Sequence, residues 1–185
     1  MKQILDLHIH SRFSRACSKQ LTLPNIARWC ERKGIDIVGT GDFTHPAWLQ
    51  EIKEQLIPVE KGVFALKDGS SKTNFFLSTE LSCIYKKGVR ARRIHLCVFA
   101  PSISAVEKIV AALTERGCNL RSDGRPILGI DAKELLKIFL EIDPDILMVP
   151  AHAWTPWFAV FGSESGFDSL EECFDELSPA IVAIE

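Results

Sequence analysis

Asp6-Leu7-His8-Ile9-His10-Ser11 lies in the first stretch of the chain that reads as a strand, Gln3–His10. On a strand, residues two apart point to the same face. The spacing therefore sets the His8 and His10 imidazoles side by side, an arrangement that can chelate a cation. Two of the chain's five histidines fall here. Taken alone, the pair leaves a structural alternative open, in which each ring is hydrogen-bonded inside a core.

Outward from this stretch, strands and helices alternate. A polar loop over 11–23 leads to Pro24 and the apolar Ile26, Ala27, Trp29 and Cys30, which predict a helix ending at Gly34. Ile35–Gly39 reads as a short buried strand running into the turn Thr40-Gly41-Asp42, and a helix is expected from Pro46 to about Leu56. After the polar loop 67–74, Phe75–Leu81 and Arg92–Phe99 read as strands, and Val106–Arg116 and Ala132–Glu141 as helices. Ile146–Pro150 is a continuous apolar run, the sign of a strand buried on both faces. A helix over Asp168–Glu176 and a strand over Ala180–Ile184 complete the pattern. Such alternation predicts an α/β fold with a parallel sheet or barrel.

Composition bounds the reading. At 185 residues and 46% hydrophobic content the chain can build one core. A net charge of −2 gives no global nucleic-acid footprint, so any such contact must come from local patches. No apolar run is long enough for a membrane span, and Met1-Lys2-Gln3-Ile4-Leu5-Asp6 lacks the features of a signal peptide. Six cysteines, scattered without a CxxC, are expected to be reduced in a cytoplasmic protein. The chain stops at Ile184-Glu185, within or at the tip of an expected strand. We therefore expect a domain that continues past residue 185, a natural edge strand being the alternative.

The remaining candidate ligands recur in or just after expected strands. Asp42 follows Ile35–Gly39, Glu80 closes the strand beginning Phe75-Phe76-Leu77, His95 lies in Ile94-His95-Leu96-Cys97-Val98, and His152 follows Ile146–Pro150. In parallel α/β folds the C-terminal strand ends converge on the active face. His8, His10, Asp42, Glu80, His95 and His152 are thus expected at one site, with donors that suit zinc, manganese or iron and a glutamate able to bridge two ions. Singly, each has a bland reading: a turn-fixing Asp42, a surface Glu80, a satisfied core His95. His45, preceding Pro46, is read as a cap or packing residue. Arg12, Arg15 and Lys19 follow the HxH stretch, and Arg90, Arg92 and Arg93 precede His95. These are either phosphate-binding cations or a solvated charged face. Trp154, Trp157, Phe158 and Phe161 crowd the loop after His152, as a stacking platform for an unpaired base or as loop core.

These residues carry a resemblance. Asp6-Leu7-His8-Ile9-His10-Ser11 with Ser14 resembles the first motif of the PHP (polymerase and histidinol phosphatase) metal-dependent phosphoesterases, and Thr40-Gly41-Asp42-Phe43 resembles the second. Glu80, His95 and His152 fall where that family has a bridging glutamate and two further histidines. Within the family the chain is most similar to endonuclease Q, through Ser11-Arg12-Phe13-Ser14-Arg15-Ala16, Val38-Gly39-Thr40-Gly41-Asp42 and Pro150-Ala151-His152-Ala153-Trp154-Thr155-Pro156-Trp157-Phe158.

The resemblance implies a distorted (β/α)7 barrel, C-terminally incomplete here, with residues 1–185 as a partial PHP domain. It implies up to three divalent ions (zinc, manganese or iron, with magnesium a further candidate) on His8, His10, Asp42, Glu80, His95 and His152. Asp42, Glu80 and His152 are the implied catalytic residues, and Arg12, Arg15, Arg93, Trp154 and Trp157 are the candidate DNA contacts. The implied activity is that of a DNA-repair endonuclease hydrolysing the phosphodiester 5′ of deaminated bases (uracil, hypoxanthine, xanthine) or abasic sites. Such metals acidify water and neutralise phosphodiester oxygens, so no nucleophilic side chain is required. The damaged base would leave the stack to be read. Replication or repair proteins are the implied protein partners.

Three departures qualify the likeness. The family's last motif, Asp-x-His, is absent, Arg15-Ala16-Cys17-Ser18 lacks the extra ligand of many members, and the cysteine-rich zinc domain of endonuclease Q has no counterpart. The expectation for this chain is therefore a partial metal site with weak or no nuclease activity. Two other classes stay open: a PHP phosphatase acting on a small phosphate monoester, and a non-catalytic metal- or DNA-binding PHP module.

Overall fold

Residues 2–185 are described by the structure, a computed structural model. Among them the elements run β1 (Leu5–Asp6), α1 (Leu23–Lys33), β2 (Ile37–Gly39), α2 (Pro46–Gln55), β3 (Leu56–Glu60), β4 (Val63–Leu66), β5 (Asn74–Lys87), β6 (Arg90–Ala100), α3 (Ile103–Glu115), β7 (Ile127–Leu128), α4 (Ala132–Ile142), β8 (Leu147–Pro150) and α5 (Leu170–Phe174). A 3-10 turn over Asp175–Ala180 follows.

The fold is mixed α/β around an open sheet in which β5 is the spine. Its start, Asn74–Phe76, pairs in parallel with β2, which pairs in parallel with β1; β4 lies antiparallel to β5, and β3 to β4. From Leu77 onward β5 pairs antiparallel with β6, in register from Leu77↔Ala100 to Lys87↔Arg90. β8 lies antiparallel to β6, and β7 joins β5 in parallel. Side chains alternate across this hairpin. Leu77, Leu81 and Cys83 of β5 and Ile94, Leu96 and Val98 of β6 enter the hydrophobic core with the inner faces of α3 and α4. Ser78, Glu80 and Ser82, opposite Phe99, Cys97 and His95, take the other face. That face carries the chemistry.

The sheet is mixed where the alternation predicts a parallel one. Phe75–Leu81 and Arg92–Phe99 are parts of one long hairpin, closed by a tight turn at Gly88, whose φ of 63° favours glycine. The β3–β4 hairpin and β7 are unforeseen. Only Leu5 and Asp6 of the expected first strand pair with β2, so His8 and His10 lie on its extended continuation. The expected strand Ala180–Ile184 does not form. The 3-10 turn holds the chain up to Ala180, and beyond it Glu185 alone exchanges backbone hydrogen bonds with the end of β8, too few to build a ladder. The helix expected over Asp168–Glu176 shortens to α5, and α3 starts earlier than expected because the Ser102 side chain caps the Ala105 amide.

Two contacts fix the strand ends that carry the site. Trp48, fully buried on α2, donates its indole N–H to the Gly41 carbonyl at 2.8 Å, anchoring the turn that bears Asp42. A Cβ on Gly39 would lie 2.4 Å from the Leu7 carbonyl oxygen and 2.5 Å from Ser78 Oγ, so only glycine lets the His8 segment approach β5. Gly39→Ala is expected to lower the unfolding free energy by about 1–3 kcal/mol through this overpacking. Urea denaturation checks it, and an unchanged midpoint would contradict the close approach.

Candidate metal centre

Glu80 points from the middle of β5 into a ring of bases. Its residue is 2% exposed, and its two oxygens face different partners. Oε2 lies 3.5 Å from His8 Nε2, 3.1 Å from His10 Nε2 and 3.2 Å from Arg125 Nη1. Oε1 lies 2.7 Å from His95 Nδ1 and 3.4 Å from His152 Nε2. The structure thus brings five of the six expected ligands together as two triads, His8–His10–Glu80 and Glu80–His95–His152. Within each, one donor atom per residue lies within 4.8 Å of the others. Two imidazoles and a carboxylate, twice over with the carboxylate shared, are a donor set that fits a pair of divalent ions.

The route to this meeting differs from convergence of parallel strand ends. Glu80 and His95 are mid-strand residues that share one face of the β5–β6 hairpin. His8 and His10 arrive from the continuation of β1, and His152 from the turn after β8. His152 holds a φ of 35° and Asp42 one of 52°, left-handed conformations uncommon for such residues.

Asp42 stands behind the ring. Fully buried, it meets His10 Nδ1 with Oδ1 at 3.0 Å. Its Oδ2 accepts from the Ser11 amide at 2.6 Å, Ser11 Oγ at 2.7 Å and Ser14 Oγ at 2.9 Å. It fixes the tautomer and direction of His10, the usual work of a carboxylate behind a ligating histidine.

The other expected residues are dispersed. Arg12 pairs with Glu51 of α2 and leans on Phe13. Arg15 is highly exposed, 4.0 Å from Asp123. Arg93 lies over the Trp157 ring at 5.3 Å. Arg92 donates to the Gly166 carbonyl and covers Phe167, a structural role. Trp154 and Trp157 are 68% and 49% exposed, so neither is loop core. Phe158 packs on the His95 ring at 4.7 Å, and His45 stacks on Phe13 at 4.3 Å as a packing residue.

Arg125, Cys97 and Glu185 escaped the sequence reading. Arg125 sits in a loop between α3 and β7 and reaches Glu80 through long-range folding, which leaves no local signal. Together with His95 and Arg15 it lines a cavity of about 480 Å³ beside the triads. Cys97 carried a legible signal, because His95-Leu96-Cys97 repeats the same-face spacing of the HxH stretch.

Electrostatics follow from burial and pairing. Burial alone would push the Glu80 carboxyl up, but the hydrogen bonds of His10, His152, His8 and His95 outweigh it and hold it well below the carboxylate range. Asp42 and then Glu80 raise His10 to about 9. Cys97 and then Glu80 raise His8 as well. Burial lowers His95 despite the nearby Glu80. Without metal, the His10 protonation stabilises the fold fully below its ordinary value of 6.5, and that contribution is lost as pH rises through about 9. A cation must displace the same protons. Metal affinity is therefore expected to strengthen as pH rises toward about 9. Competition against a metallochromic chelator checks this, and a flat profile would contradict it.

No family model matches the chain. An uncharacterized protein of Methanocaldococcus jannaschii is 36% identical over 152 residues, 82% of this chain and 16% of that protein. The crystal structure of the lesion-specific endonuclease Q of Pyrococcus furiosus superposes with a TM-score of 0.77 at 33% identity, over 93% of this chain and 39% of its own. An endonuclease Q complex with a 27-mer duplex bearing an abasic lesion at the active site gives 0.78 at 35% identity, over 93% of this chain and 40% of its own. A Bifidobacterium adolescentis protein described as a metal-dependent phosphoesterase shares the fold, with a TM-score of 0.59 at 14% identity. The chain spans about two fifths of the endonuclease Q chains and about one sixth of the archaeal relative. In sequence and in fold the chain is similar to endonuclease Q, and in fold alone it is similar to the metal-dependent phosphoesterase.

Proposed function

We propose that the Glu80-centred site is the metal centre of a DNA-repair endonuclease that hydrolyses the phosphodiester 5′ of a deaminated base or an abasic site. The single observation that carries this reading is the division of Glu80, one oxygen toward His8 and His10 and the other toward His95 and His152. Ions held there would acidify a water and neutralise charge on the phosphodiester in an in-line displacement. Zinc, manganese or iron fits these donors. The same reading takes the open sheet as part of the distorted (β/α)7 barrel.

The chain's own residues set the geometry. Glu80, His8, His10, His95 and His152 hold the centre, and Asp42 orients His10. Arg125 and Arg15, which line one cavity beside the triads, would hold phosphate oxygens and make the affinity salt-sensitive. Exposed Trp154 and the Arg93–Trp157 pair offer flat surfaces for an unstacked base. The related endonuclease Q bound to an abasic duplex supports DNA as substrate.

Single-turnover incision, with protein in excess and manganese added, tests this on duplexes carrying uracil or an abasic site. We expect cleavage on the 5′ side of the lesion, weak in absolute rate. Glu80→Gln should reduce it at least about a hundred-fold, as loss of several kcal/mol of metal-borne stabilisation requires. Phosphate release from a small monoester without DNA incision would instead select the phosphatase reading. Metal and DNA binding without either reaction would select the non-catalytic one.

A further inference from the structure

His8 has two faces, and only one belongs to the centre described above. Its Nε2 is directed at Glu80, while its Nδ1 lies 2.7 Å from Glu185 Oε2. Cys97, opposite Glu80 on the hairpin and 4% exposed, completes a third cluster. The donor atoms of His8, Cys97 and Glu185 all lie within 4.8 Å of one another. Glu185 is held in place by its own backbone, its amide donating to the Pro150 carbonyl at 3.0 Å and its carbonyl accepting from the Ala153 amide at 2.8 Å. The cluster opens into a cavity of about 470 Å³ whose other walls include Leu5, Phe99, Leu147 and Val149. Neither Cys97 nor Glu185 has a part in the proposed hydrolysis.

We propose that His8 Nδ1, Cys97 Sγ and the Glu185 carboxylate form a separate site for a soft divalent cation such as zinc, its remaining position open to the cavity. A sulfur donor discriminates against magnesium and manganese, and a nitrogen–sulfur–oxygen set matches zinc or cobalt. On binding, the thiol proton leaves to solvent and a sulfur–metal bond forms, with no redox change. A neutral imidazole has one lone-pair nitrogen. A cation on Nδ1 therefore leaves the ring proton on Nε2, where it donates to Glu80 and cannot ligate. Occupation of this site withdraws His8 from the His8–His10–Glu80 triad, so the two sites oppose each other.

Cobalt(II) titration of the metal-free chain tests the site. The expected result is a thiolate-to-cobalt charge-transfer band in the near ultraviolet, lost in Cys97→Ser and kept in His95→Ala, which alters only the other triad. Glu185→Gln should keep the band and weaken cobalt binding by about ten-fold or more. Thermal melts establish that each variant is folded. If Cys97→Ser fails to fold, the Glu185→Gln affinity decides: an unchanged value overturns the site. No band in the parent chain, or a band that survives in folded Cys97→Ser, also overturns it. These readouts are independent of DNA cleavage.

Discussion

Everything in this protein is arranged so that one carboxylate can be buried. Removing a lone carboxylate from water costs several kcal/mol, a debt that only close partners offset. Glu80 has five: four imidazoles and the Arg125 guanidinium. They come from the β1 continuation, β6, the turn after β8 and the loop before β7, so the charge requirement of one side chain ties together segments far apart in the chain. The β5 spine and the close packing at Gly39 are what allow those segments to arrive.

The backbone around this ring is held in conformations the residues themselves disfavour. Asp42 and His152 occupy the left-handed region, at about 1–3 kcal/mol each. Contacts hold both in place: the His152 amide donates to Glu185 Oε2 and its Nδ1 meets Thr155 Oγ1. Trp48 grips Gly41, the adjacent residue, and Asp42 is enclosed by Ser11, Ser14 and Gly124, where a Cβ would come within 2.3 Å of its carboxylate. The strain and the restraint coincide at the two places where side chains must be aimed rather than merely housed.

How far the sequence foretold this depends on the range of the determinant. His8, His10, Glu80, His95 and His152 were legible as neighbours, because donor residues beside apolar runs have a short-range signature. The reason they meet was not, since antiparallel pairing of β5 with β6 depends on Gly88 and on partners far along the chain. Asp42 was recognisable as a site residue, but the side to which its carboxylate turns is set by Ser11 and Ser14, which no spacing rule singles out. Arg125 had no local mark.

The β5–β6 hairpin has the character of a measuring device. Because neighbours along a strand face opposite ways, the pairing of Glu80 with Cys97 and of Ser82 with His95 is maintained by where the chain reverses, at the distant Gly88-Val89 turn. Counting from that turn decides whether His95 or Leu96 meets the carboxylate. An odd-numbered insertion or deletion in the turn would exchange an imidazole for an aliphatic group without touching any residue of the site. The chemical identity of the centre is therefore written in part as a length, in a surface loop that makes no contact with it.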